Sequence, residues 1–116
     1  MADGLVEYRD TLDYTWVIAR QLDRIAEAMT MVSFEAPGPG VARVYSAMRA
    51  LLAVARPFVP RQCWLRLERA ALMIQRGRPL AALAEMELAL ADLLAELDRK
   101  GLLLYKRSLA VGGFEG

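Results

Sequence analysis

Arginine is the residue type in this sequence best suited to binding a charged partner, and its distribution is uneven. Residues 41–80 hold eight arginines and one acid, Glu68, for a net charge of +7. The flanking sections are acidic, with −4 over residues 1–40 and −5 over residues 81–98, and residues 99–116 carry +3. A chain with a net charge of +1 therefore contains a strongly basic middle section.

Five of these arginines align on the faces of two predicted helices. A guanidinium forms paired hydrogen bonds with a phosphate or with a carboxylate. One interpretation is a nucleic-acid surface that grips the phosphate backbone. The other is ion pairing with the acidic first and last helices, which the near-neutral total charge and the lack of interleaved aromatic residues favour. The candidate contacts with nucleic acid or an acidic partner are Arg49, Arg56, Arg66, Arg69 and Arg76.

The side chains that most often carry catalysis are missing from this sequence. It contains no histidine, which excludes histidine acid–base catalysis, a Ser–His triad and histidine metal ligands. None of its serines has a lysine three residues further on, as a Ser-x-x-Lys nucleophile requires. We therefore expect a protein that is not an enzyme and that has no cofactor or bound metal.

Cys63 and three acids are weaker candidates for chemistry. Cys63 lies near the start of a predicted helix, where the helix dipole and a neighbouring arginine can lower a thiol pKa. A small buried side chain beside Trp64 is the favoured interpretation. Glu85, Asp92 and Glu96 share one side of the last predicted helix and could bind a divalent cation. We favour ion-pair partners or a solvated face for these acids.

Hydrophobic spacing predicts four helices, over residues 4–32, 41–55, 61–76 and 79–100. Pro37, Gly38, Pro39 and Gly40 are predicted to form a plain loop, although such glycines before a helix carrying Arg43 could also hold a phosphate. Gly77 is predicted to cap the third helix in a left-handed conformation, and Pro79 to open the fourth. The predicted inward residues of the third helix are Trp64, Leu67, Ala71 and Ile74.

The predicted fold class is all-α, a four-helix bundle-like single domain with a docked apolar C-terminal segment, residues 102–116. The fourth helix is apolar on two faces and so needs two neighbours, within its own bundle or across a dimer axis. The C-terminal segment is too apolar to lie free in water, so we expect it to dock on its own bundle or on another subunit. The candidate self-association surface comprises Leu88, Leu94, Leu102, Leu103, Leu104, Tyr105, Leu109 and Phe114.

The overall composition favours a self-associating protein of the cytoplasm. Hydrophobic residues make up 56% of 116 residues, more than one small domain readily buries, so we expect a homodimer. No stretch predicts a transmembrane helix or a signal peptide, and a single cysteine forms no internal disulfide. The absence of Asn with abundant Arg is typical of a thermophile or of a GC-rich genome.

The expected function is a non-enzymatic structural or adaptor module that associates with itself. The alternative is a nucleic-acid-binding subunit of a nucleoprotein complex, with the arginine-rich face of the second and third helices against the phosphates. The two functions differ in what the arginines contact, and the sequence leaves that choice open.

Overall fold

The chain folds into four α-helices in a computed structural model that describes the backbone of residues 2–103 and the side chains of residues 14–103. Helix α1 spans Ala2–Thr30, α2 Pro37–Val54, α3 Arg61–Gln75 and α4 Pro79–Arg99, and a single 3-10 turn, Arg56–Phe58, links α2 to α3. Residues 2–103 contain no strand. The all-α prediction is confirmed. Of the C-terminal segment predicted to dock, residues 102 and 103 pack on the core, and residues 104–116 lie outside the described residues.

Helix α2 begins at Pro37, so the prediction of a loop over residues 37–40 is wrong. Proline is accepted in the first turn of a helix because the N–H group that it lacks would have no partner within the helix. Gly40 is needed because α2 passes very close to the end of α1. A Cβ atom on Gly40 would lie 2.9 Å from the Cα atom of Val32.

The end of α3 follows the predicted capping pattern, and α4 ends in the same way. Gly77 and Gly101 both have a φ of 73°, the left-handed conformation that glycine adopts without strain. After Gly77 the Arg78 N–H donates to the Met73 carbonyl at 2.8 Å, and after Gly101 the Leu102 N–H donates to the Leu97 carbonyl at 2.8 Å. The chain therefore turns back sharply at both helix ends. Pro79 begins α4, as predicted.

Helix α2 is the centre of the fold. It lies against α1, α3 and α4, while α3 and α4 form a second close hairpin. Tyr14 ties α1 to the far end of α2, since its hydroxyl donates to the Val54 carbonyl and its ring meets Phe58 edge-on at 5.6 Å. The fully buried large side chains of α2 and α4 are Val41, Val44, Met48, Leu51, Leu52, Met86, Leu93 and Leu97.

The four helices do not close into a square bundle. In a closed up-and-down bundle α1 would pack against α4, but here the two helices barely approach each other because α2 makes the diagonal contact with α4. The result is a thin molecule, with principal extents of 54 × 35 × 19 Å. The side between α1 and α4 is consequently open.

Helix α3 is rotated relative to the prediction. Its fully buried residues are Cys63, Leu67 and Ala70, whereas Trp64, predicted to face inward, is only half-buried. Small side chains here allow α3 to lie close to α4, and the Cys63 Sγ lies 3.3 Å from the Ala89 carbonyl oxygen. Because α3 has leucines on both of its faces, its hydrophobic pattern does not define which face is buried.

Candidate interaction surfaces

Arg66 is held by acids of the neighbouring helix. Its Nη1 atom lies 3.3 Å from Glu85 Oε2 and its Nε atom 3.5 Å from Asp92 Oδ2. Gln62 donates to the same Asp92 oxygen at 3.3 Å. The three charged side chains are part-buried, and each ion pair contributes about 1 kcal/mol or less. The predicted role of Glu85 and Asp92 as ion-pair partners is confirmed, and Glu96 similarly accepts a hydrogen bond from Arg99.

The other candidate arginines are exposed to solvent. Arg49 lies over the ring of Tyr45, with 6.0 Å from its guanidinium carbon to the ring centroid. Arg56, Arg69 and Arg76 form no ion pair with any acid whose side chain the structure describes. Of the five candidate arginines, Arg66 alone forms an ion pair with a described acid, and the acids that it contacts belong to α4.

The outer face of the α3–α4 hairpin combines exposed leucines with charge. On α3, helical spacing places Leu65, Arg69 and Leu72 opposite the buried Cys63 and Ala70. Leu65 and Leu72 are 46% and 49% exposed. The outer face comprises Arg61, Leu65, Arg69 and Leu72 of α3, Arg76 at the C-terminal cap of that helix, and Leu80, Ala84, Glu87, Leu88 and Ala91 of α4.

The two helices of the outer face differ in charge. The α3 side carries three arginines, and the α4 side carries Glu87 among alanines and leucines. Leu80 and Leu88 are 46% and 51% exposed, matching the leucines of α3. Leu65 and Leu72 were not among the predicted surface residues, although their spacing of seven residues indicates that they share one face of α3.

An apolar groove runs along the open side between α1 and α4. It encloses about 200 Å³. Its lining is aliphatic apart from one carboxylate at the edge, Asp23. A groove of this kind on a small protein marks a place where another apolar segment can bind. The lining residues are Leu22, Asp23, Ile25, Ala26, Met29, Leu90 and Leu94.

Among the described residues predicted for self-association, Leu88 and Leu94 lie on different surfaces. Leu88 lies on the outer face and Leu94 lines the groove. Leu102 is only 6% exposed and belongs to the core of its own chain, with Leu103 packed against that core, so Leu102 does not offer a free surface. Leu104, Tyr105, Leu109 and Phe114 lie outside the described residues.

Cys63 is an inert core residue, as its favoured interpretation predicted. Burial and, to a lesser extent, the nearby Asp92 carboxylate raise the pKa of its thiol to about 11, against a smaller lowering by the Arg66 guanidinium. The thiol therefore stays protonated at neutral pH, and a protonated thiol is a poor nucleophile.

Two kinds of site are absent from the part of the chain that the structure describes. No group of three or more Cys, Asp or Glu side chains is placed to hold a metal ion. No helix in residues 2–103 has the length and apolar character needed to cross a membrane.

Comparison with known proteins identifies no relative of this chain. No protein family, curated protein or solved structure matches the chain. The outer face and the groove are therefore the two candidate interaction surfaces of the described residues.

Proposed function

We propose that this protein is a non-enzymatic helical module that forms a homodimer through the outer face of its α3–α4 hairpin. The observation that carries the proposal is the set of four half-exposed leucines, Leu65, Leu72, Leu80 and Leu88, on one side of one hairpin. Fully burying a leucine side chain is worth roughly 1.5–3 kcal/mol. Burying eight half-exposed leucines across a two-fold axis would supply enough to hold two copies together.

Charge selects one of the two possible face-to-face arrangements. A two-fold axis perpendicular to the helices would place α3 on the partner's α3, with arginines opposite arginines. An axis parallel to the helices instead places α3 of each copy over α4 of the other, so that the three arginines face the acidic helix. Opposite charges across an interface fix such an arrangement more than they strengthen it.

The second arrangement also predicts which residues meet. An axis parallel to the helices leaves each residue at the same height, so α3 residues face the α4 residues beside which they already lie. Within one copy, Cys63 lies beside Ala89 and Arg66 beside Glu85. Leu65 therefore falls near the partner's Leu88. The partner's Glu87 lies at nearly the same height as Leu65, about one helical turn from both Arg61 and Arg69.

The leucine contribution is tested with the double substitution Leu65→Ser and Leu72→Ser. We expect the dimer dissociation constant to rise at least about a hundredfold, because each dimer loses four apolar contacts. Analytical ultracentrifugation across a concentration series measures this change, with circular dichroism to verify the fold.

A matched control removes exposed apolar side chains elsewhere. Met31 and Phe34, 60% and 80% exposed beside the α1–α2 connection, lie off the outer face. Met31→Ser with Phe34→Ser should leave dimerisation unchanged. Equal weakening by both double substitutions would contradict a dimer through α3 and α4.

A second candidate function is nucleic-acid binding, which one specific observation favours. Arg61, Arg69 and Arg76 follow one line of α3 without an ion pair to any described acid. Fluorescence anisotropy with short DNA and RNA at two salt concentrations distinguishes the two functions. Binding that weakens steeply with salt, and that Arg69→Gln with Arg76→Gln removes, would favour the nucleic-acid function.

A further inference from the structure

We propose that the groove between α1 and α4 is the binding site for the chain's own C-terminal segment, residues 104–116. The groove lies where α1 and α4 would contact each other in a closed bundle. Here the two helices are held apart, because both pack on α2. Leu22 and Met29 of α1 face Leu90 and Leu94 of α4 across it. An apolar segment between these helices would complete the bundle.

The direction of the chain at the end of α4 supports this occupant. At Gly101 the chain reverses, and the Leu102 N–H bonds back to the Leu97 carbonyl. Leu102 is then buried in the core and Leu103 is half-buried against it. The segment thus begins from two residues that already pack on the core of the bundle.

The length of the segment is sufficient to reach the whole groove. The α1 lining from Leu22 to Met29 covers about 10 Å at the helical rise of 1.5 Å per residue. Residues 104–116 would span about 20 Å as a helix and up to about 43 Å when extended. No second copy is needed to bring these residues to the site.

The composition of the segment fits the volume and the charge of the groove. An apolar cavity of roughly 150 Å³ accommodates a benzene ring, so the groove of about 200 Å³ has room for one aromatic or one large aliphatic side chain. The segment offers Leu104, Tyr105, Leu109, Val111 and Phe114. It also carries Lys106 and Arg107, which can pair with Asp23, since Asp23 forms no ion pair with another described residue.

The test uses the full-length chain with a nitroxide spin label on the rim of the groove. Cys63→Ala removes the native thiol, and Ala26→Cys provides an exposed attachment point that lines the groove. We expect the backbone amide signals of residues 104–116 to be lost in the NMR spectrum of the isotope-labelled protein. Diluting this sample with an excess of unlabelled, unmodified chain should leave that loss unchanged, because the contact is within one chain.

The control label is attached at Ser46→Cys, an exposed position on α2 that lies opposite the buried residues of that helix and off the outer face. This label should leave the signals of residues 104–116 in place. Signals that return on dilution would assign the groove to the segment of a second copy and overturn the proposal. Signals unaffected by the Ala26→Cys label would show that the segment does not bind the groove at all. Neither result depends on whether the outer face forms a dimer.

Discussion

Met48→Ala is expected to lower the free energy of unfolding by about 2–5 kcal/mol, the range for deleting a fully buried methionine side chain. Met48 is fully buried in α2, the helix that contacts the other three. Its removal leaves a cavity that three helices would have to move together to fill. Denaturant titration monitored by circular dichroism gives the difference directly.

The control for this prediction is the same substitution at an exposed methionine. Met31 is 60% exposed just after α1, so Met31→Ala should change stability by about 0.5 kcal/mol or less. Losses of similar size at the two positions would mean that α2 is not the centre of the core.

Gly40→Ala is expected to destabilise the fold by about 1–3 kcal/mol, as overpacking typically does. The added Cβ would lie 2.9 Å from the Cα atom of Val32, and a backbone atom cannot rotate away. Helix α2 would have to shift away from α1 to relieve the contact. Thermal unfolding followed by circular dichroism would detect this as a lower Tm.

Gly38→Ala is the matched control, because Gly38 lies in the same helical turn and a Cβ there would meet nothing within 4 Å. Alanine loses less conformational freedom than glycine on folding, so this change should be neutral or stabilising by about 0.5–1 kcal/mol. Two equal effects would contradict the close crossing of α1 and α2.

The sequence predicted most of this fold because its signals are local. Spacing of apolar residues located the four helices, and the cap at Gly77 followed from the need for a left-handed residue at the end of α3. The start of α2 was missed because proline and glycine indicate a loop in most contexts. Their role at Pro37–Gly40 depends on how closely α1 passes, which no local pattern contains.

The candidate sites were harder to predict because they depend on how the helices are placed. The sequence identified the arginines but did not separate Arg66, which two acids of α4 hold, from Arg69, which no described acid holds. The groove could not be predicted, because the same apolar stripes on α1 and α4 fit a closed bundle equally well. Only the diagonal contact between α2 and α4 opens that side.

The most direct test of the proposed dimer is a charge exchange measured by sedimentation equilibrium. Arg69→Glu should weaken the dimer, and adding Glu87→Arg to the same chain should restore part of the affinity, because the two positions lie about one helical turn apart across the two-fold axis, within reach of an arginine side chain. Arg43→Glu, the same change at an exposed position on α2, should have little effect. A chain that is monomeric throughout the micromolar range, or a double variant weaker than Arg69→Glu alone, would contradict the proposal.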